Sequence, residues 1–198
     1  NVQQLRKALA VADGNTNYKI FLENVTYDLG EKFGTFVKDN VTLVGQSRDG
    51  VVIKNTPANE GIWTSATLLT GSNVIMQNLT LRCTVTQVGG NERGTALYDN
   101  GSGNVYKNIR LLGRQDTYYS HDNATSFFED CEIHGTVDFI CGSGNVWLEK
   151  CELLIESSSE AYITAARKNN TPGEYNGFIF NECTIDNADG ADMAGKYY

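Results

Sequence analysis

Residues 108–153 read NIRLLGRQDTYYSHDNATSFFEDCEIHGTVDFICGSGNVWLEKCEL, and one short phrase returns in them three times. The phrase is a polar residue, an apolar residue, any residue, then an apolar residue. It stands as Asn108-Ile109-Arg110-Leu111, Asp130-Cys131-Glu132-Ile133 and Lys150-Cys151-Glu152-Leu153. Such alternation marks a strand with one buried face. Working outward, the phrase also occurs upstream as Asn40-Val41-Thr42-Leu43 and Asn78-Leu79-Thr80-Leu81, and downstream as Glu182-Cys183-Thr184-Ile185. The steps between copies are 38, 30, 22, 20 and 32 residues. Turn-forming runs such as Asp99-Asn100-Gly101-Ser102-Gly103 and Gly142-Ser143-Gly144 separate them. A minimum step near one strand-rich coil, lengthened where loops are inserted, is the signature of a solenoid. The expected fold is all-β, a parallel β-helix in which like residues stack in columns. Val41, Leu79, Ile109, Cys131, Cys151 and Cys183 form one expected inward column. Leu43, Leu81, Leu111, Ile133, Leu153 and Ile185 form another. A β-sandwich or antiparallel barrel is the competing arrangement, but hairpin proteins seldom keep one phrase in register over six strands.

Before the first copy, Val2, Leu5, Leu9 and Ala12 share one face at helical spacing, and Asp13-Gly14 stops the helix. This short N-terminal helix is expected to cap one open end of the stack and shield its edge. The 198 residues make a single domain with a sizeable core. A net charge of −8 and the lack of any basic run make nucleic acid a poor partner. No stretch approaches the ~20 apolar residues of a membrane span. No signal peptide is present in the chain, which reads as a mature or trimmed piece. Five cysteines, no CxxC spacing and two histidines argue against zinc. Free, buried thiols are expected.

The register makes a chemical coincidence visible. Asn108 and Asp130 are equivalent and 22 residues apart, and 22 residues separate Asp116 from Asp138. Stacked strands lie about 4.8 Å apart, so the two carboxylates are expected side by side. At about 5 Å and an effective dielectric of about 20, their repulsion is roughly 3 kcal/mol, or about two pKa units. One aspartate then stays protonated as an acid while the other is ionised as nucleophile or base. The titration belongs to the pair. The plain alternative makes both aspartates turn residues facing solvent.

Their flanks weigh against that alternative. Gln115-Asp116-Thr117 with an aromatic close behind, then Gly135-Thr136-Val137-Asp138-Phe139-Ile140, resembles the signature of pectin methylesterases. Val41-Thr42-Leu43-Val44-Gly45, Gly94-Thr95-Ala96-Leu97-Tyr98, Tyr162-Ile163-Thr164-Ala165 and Gly177-Phe178-Ile179-Phe180 extend the resemblance over essentially the whole chain. The resemblance implies a right-handed parallel β-helix that removes methyl esters from polygalacturonate. It implies Asp138 as nucleophile, Asp116 as acid and then base, and Gln115 as an oxyanion donor. It places Tyr119 and Phe139 in the sugar groove. It implies methyl-esterified homogalacturonan (pectin) as partner, a secreted or periplasmic monomer, and no metal or organic cofactor.

Three positions depart from the family pattern. The family's second oxyanion glutamine corresponds to Arg93, which could serve the same role or be drawn off by an acid such as Glu92. A groove aromatic three residues after the nucleophile is Cys141. The family's Leu-Gly-Arg-Pro-Trp motif, whose arginine holds the nucleophile, is absent, and Gly195-Lys196-Tyr197-Tyr198 resembles the run before it. Truncation at the C-terminus is the expected cause, and weak activity or none is expected of these 198 residues alone.

Other features are expected to be structural. His121 and His134 have no Gly-x-Ser-x-Gly elbow to serve, so a serine hydrolase is disfavoured. Gly71-Ser72, Gly89-Gly90 and Gly142-Ser143-Gly144 are turns, not phosphate loops. Asn24, Asn40, Asn78, Asn123 and Asn169 open glycosylation sequons, though Asn40 and Asn78 also belong to the repeat. Trp63 and Trp147 are expected to pack. Competing functions are a glycoside hydrolase or lyase on the same polymer, whose motifs are absent, a non-catalytic polysaccharide-binding β-helix, and an esterase for another ester.

Overall fold

The polar residue that opens each phrase turns the chain. Asn40, Asn78, Asn108, Asp130, Lys150 and Glu182 have φ of 60, 55, 47, 53, 52 and 52°. Left-handed backbone bends the strand sharply, and Asn and Asp tolerate it best among residues with a side chain. The corners also stack: Asn108 Nδ2 donates to Asn78 Oδ1 at 2.9 Å, and Asn73 Nδ2 donates to Asn40 Oδ1 at 3.2 Å.

The computed structural model describes residues 1–31, 34–57, 61–85, 93–122, 124–168 and 176–188. Glu92, Gly89-Gly90, Asn123, Asn169 and Gly195–Tyr198 lie outside the described residues. Between the corners, short strands form three parallel sheets of seven, seven and six strands. The chain visits them in rotation, so each sheet pairs a strand with its counterpart one coil later. The first sheet runs from Tyr18–Leu22 to Gly177–Asn181, the second from Thr26–Asp28 to Thr184–Asn187, and the third from Thr35–Val37 to Thr164–Ala166. The molecule is a right-handed parallel β-helix.

The register corrects one copy of the repeat. Leu81, Leu111, Ile133, Leu153 and Ile185 are successive partners in the second sheet. Leu43 is not in that column: its strand belongs to the first sheet and pairs Leu43 with Met76. The second-sheet partner of Leu81 is Ile53. Asn40 was confusable with Asn78 because both are left-handed corners followed by an alternating strand, but at different vertices of the coil. The columns also loosen at the last described coil, where Ile185 is 59% exposed and Cys183 is only partly buried.

The interior holds the inward columns. Ile20, Leu43, Met76, Tyr106, Phe128 and Leu148 stack through the first sheet, with Tyr106 and Phe128 rings 4.7 Å apart. One carboxylate lies among them. Asp99 is wholly buried and accepts bonds from Thr70 Oγ1 at 2.9 Å, Asn104 Nδ2 at 2.6 Å, Tyr118 OH at 3.0 Å and Ser126 Oγ. The helix Val2–Val11 covers the first coil with Leu5 and Leu9, held by an Asn1–Gln4 capping box. Trp63 and Trp147 are not core residues: they are 55% and 43% exposed. Trp147 sits on the outer face of the first sheet, in register between Phe127 and Ile179. Among the described residues no helix is long and apolar enough to cross a membrane.

Candidate active site

The third sheet carries an open outer row. Tyr98, Tyr119, Cys141 and Ala165 are partners on successive coils; Tyr98, Tyr119 and Ala165 are partly exposed, whereas Cys141 is buried. The Tyr98 and Tyr119 rings stack at 4.9 Å with 20° between planes. Arg167 Nη2 lies 3.3 Å from Tyr119 OH and 3.1 Å from Asp122 Oδ1, which extends the row with a cation.

At one edge of this row stand the two aspartates. Asp116 and Asp138 precede strands paired as Tyr118 to Ile140, and the Asp116 amide donates to Val137 O at 3.2 Å. Both are left-handed corners, with φ of 58 and 53°. The strand geometry beneath them therefore aims two carboxylates from equivalent vertices of adjacent coils. Gly135 makes the second corner possible. A Cβ there would lie 2.1 Å from Phe139 Cβ and 2.8 Å from Arg114 O. Phe139 itself does not line the groove: its side chain is fully buried in the core, where it anchors the turn that carries Asp138. Its burial, beside the equally buried Ile140, corrects the sugar-contact expectation.

Charge at this corner is poorly compensated. Asp116 is buried, whereas Asp138, Gln115 and Arg93 are half-buried. Arg93 Nε lies 2.8 Å from Asp116 Oδ2, but neither atom has an aligned hydrogen bond. The contact is an ion pair whose N–H points past the oxygen. The Cys141 thiol lies 3.5 Å from Asp116 Oδ1. Burial pushes the Asp116 carboxyl above its usual range; Arg93 and the thiol oppose this, and the Asp138 charge adds to it. Burial also raises Asp138, again against the pull of Arg93. Gln115 is tied in place by its backbone, with its carbonyl accepting from the Gly94 amide at 2.9 Å.

Structure thus brings Asp116, Asp138, Gln115, Arg93 and Tyr119 to one edge of one sheet and excludes Phe139. Sequence reading missed Tyr98 and Arg167. Tyr98 carried a signal, since it stands one coil before Tyr119; Arg167 carried none. A concavity of about 640 Å³ between the N-terminal helix and the first coil holds no carboxylate pair, and the aspartates face an open surface instead.

A solenoid with stacked carboxylates beside an aromatic row has the architecture of a carbohydrate-active β-helix. The chain belongs to the pectinesterase family, whose model matches residues 1–197. It is 31% identical over 210 residues to a probable pectinesterase/pectinesterase inhibitor 20 of Arabidopsis thaliana, covering 100% of this chain and 36% of that protein. It superposes on the pectin methylesterase from Yersinia enterocolitica with a TM-score of 0.81 at 29% identity, covering 94% of this chain and 66% of that one. It also superposes on a pectin methylesterase crystallised in complex with a hexasaccharide, with a TM-score of 0.82 at 26% identity, covering 96% and 64%. The chain therefore spans about a third of the curated relative, at 36%, and about two thirds of the solved chains, at 64 and 66%.

Proposed function

We propose that this protein removes methyl esters from polygalacturonate, with Asp138 as nucleophile and Asp116 as acid and base. The observation that carries the reading is the stacked pair itself: two carboxylates at equivalent corners, both raised by burial, beside an aromatic row. The ionised Asp138 attacks the ester carbonyl. The tetrahedral oxyanion is met by the Gln115 amide and by Arg93 swinging from Asp116. Collapse breaks the ester bond, and Asp116 gives its proton to the departing methoxide. Asp116 then takes a proton from water as that water attacks the acyl-Asp138 anhydride, which frees the acid and restores Asp138. Tyr119 and Tyr98 offer a stacked platform for sugar faces. A polymer of this size is met outside the cytoplasm, in a secreted or periplasmic setting. One chain's sheet supplies both aspartates, so a monomer suffices.

The test measures methanol and new reducing ends released from methyl-esterified polygalacturonate. Methanol without chain cleavage is expected. A second reading is a binding module, favoured by the Arg93 ion pair that occupies Asp116. Polymer binding with no methanol above the level of an Asp138→Asn control would overturn the esterase reading in its favour.

A further inference from the structure

From the Asp116 corner, the strand Tyr118–Ser120 leads through the tyrosine row to Asp122, where a second cluster stands. Arg167 is its cation. The side chain is 57% exposed, yet it is held at both backbone and tip. The Arg167 amide donates to Gly142 O at 2.7 Å, and its carbonyl accepts from Asn176 Nδ2 at 2.6 Å. Its Nη2 lies 3.1 Å from Asp122 Oδ1, 3.3 Å from Tyr119 OH and 3.5 Å from Ser143 Oγ. The anchor is itself braced. Ser143 is fully buried, donates its hydroxyl to Asp122, and donates its amide to Ser120 O at 2.8 Å. Every bond of the guanidinium among the described residues leaves from Nη2, so Nε and Nη1 stay open. Holding an exposed arginine still costs rotamer freedom. Here the fold meets that cost before any ligand arrives. The charge also reaches both rings of the row: burial raises the Tyr98 and Tyr119 hydroxyls, and Arg167 opposes that shift in both. Tyr119 feels the Asp116 charge as well. Asp116 and Tyr119 are three residues apart, at most about 10 Å along the chain. The cation therefore serves the same platform as the aspartates, but stands away from the reacting ester.

We propose that Arg167, set in place by Asp122 and Ser143, binds the free carboxylate of an unesterified uronate that neighbours the unit under attack. This rests on the polygalacturonate reading above. A carboxylate takes charge-assisted bonds from the open guanidinium donors, whereas a methyl ester has no charge to meet them. The site thus tells product units from substrate units within one polymer. It favours attack beside a unit already stripped of methanol, because the carboxylate made in one turnover can fill it for the next.

Calorimetry measures the binding of two oligogalacturonates, one unesterified and one fully methyl-esterified, to the Asp138→Asn chain, where ester is not turned over. The unesterified oligomer is expected to bind about 5–10-fold tighter, with the advantage shrinking in high salt. Adding Arg167→Gln should abolish the preference. Adding Arg167→Lys should keep part of it, since the charge remains and the planar fork is lost. An Asp138→Asn chain that does not prefer the unesterified oligomer, or an Arg167→Gln chain that keeps the preference, overturns the proposal. Methanol release is read separately, on the unsubstituted chain. No methanol from any ester, with the Arg167-dependent preference intact, sinks the esterase reading and leaves the carboxylate site standing.

Discussion

Asp99 and Asp116 are both buried carboxylates at the third sheet, yet their surroundings are opposite. Asp99 lies inside the solenoid with four neutral donors converging on it. Asp116 lies at the outer edge with a weak thiol donor, a misaligned arginine and a second carboxylate one coil away. Burial raises both. The difference is in what opposes burial. Aligned dipoles spend Asp99 on holding two sheets together, so it has little capacity left for an incoming group. Asp116 keeps unfilled acceptor capacity, which is what a proton-transfer group needs.

The largest effect should come from the outer pair. Asp138→Asn should lower methanol release about 10³-fold or more, roughly 4 kcal/mol of transition-state stabilisation, with the Tm unchanged. An equal loss of Tm and activity would make Asp138 a structural residue like Asp99. The inner carboxylate should behave in reverse. Asp99→Ala strands four buried donors and should cost about 3–5 kcal/mol in urea unfolding. A cost under about 1 kcal/mol would break the contrast, because a buried network of that kind cannot be cheap to empty.

Arg93→Gln tests how the outer pair is tuned. Asp138 must be ionised and Asp116 protonated, so activity falls as pH drops through the first pKa and as it rises through the second. Arg93 pulls both down. Its loss should move both limbs of the kcat/KM profile to higher pH, by about one unit for a half-exposed cation. Unmoved limbs with a lower kcat would assign Arg93 to the oxyanion alone.

A third carboxylate setting gives the smallest effect. On the outer face of the second sheet, Glu132 takes both prongs of Arg110, at 2.8 and 3.0 Å, with Arg48 at 3.4 Å. His134 bridges Glu132 and Glu156 at 2.5 and 2.8 Å, so both ring nitrogens face carboxylates. Burial lowers the His134 pKa, but bonds to Glu156 and Glu132 prevail and raise it above 6.5. Its contribution is full below 6.5 and is lost as pH rises through the raised value. Glu132 and Glu156 are held below 4.5, so their share is lost only as pH falls through their lowered values. His134→Gln should cost about 1 kcal/mol near pH 6 and clearly less near pH 9, by urea unfolding at each pH. A pH-independent cost would make the bridge a packing effect.

The phrase at Asn108, Asp130 and Lys150 was legible because a left-handed corner favours few residues and the strand after it must alternate. The same rule misled at Asn40, since every vertex of the coil asks for the same chemistry. Phe139 looked like a groove residue by resemblance; its burial was not legible, because Ile140 beside it is buried as well and the corner breaks the alternation. Arg167 was illegible, because the stretch after Tyr162 sets its reach.

The sequence alone determined the solenoid and the 22-residue offset that stacks Asp116 on Asp138. Backbone sign, alternation and coil length are local properties, written in neighbouring residues. Only the tertiary structure decided which sheet each phrase joins, that Arg93 pairs with Asp116, and that Phe139 is core. Those facts depend on side chains meeting across coils, and loops of unequal length set that meeting without any local pattern.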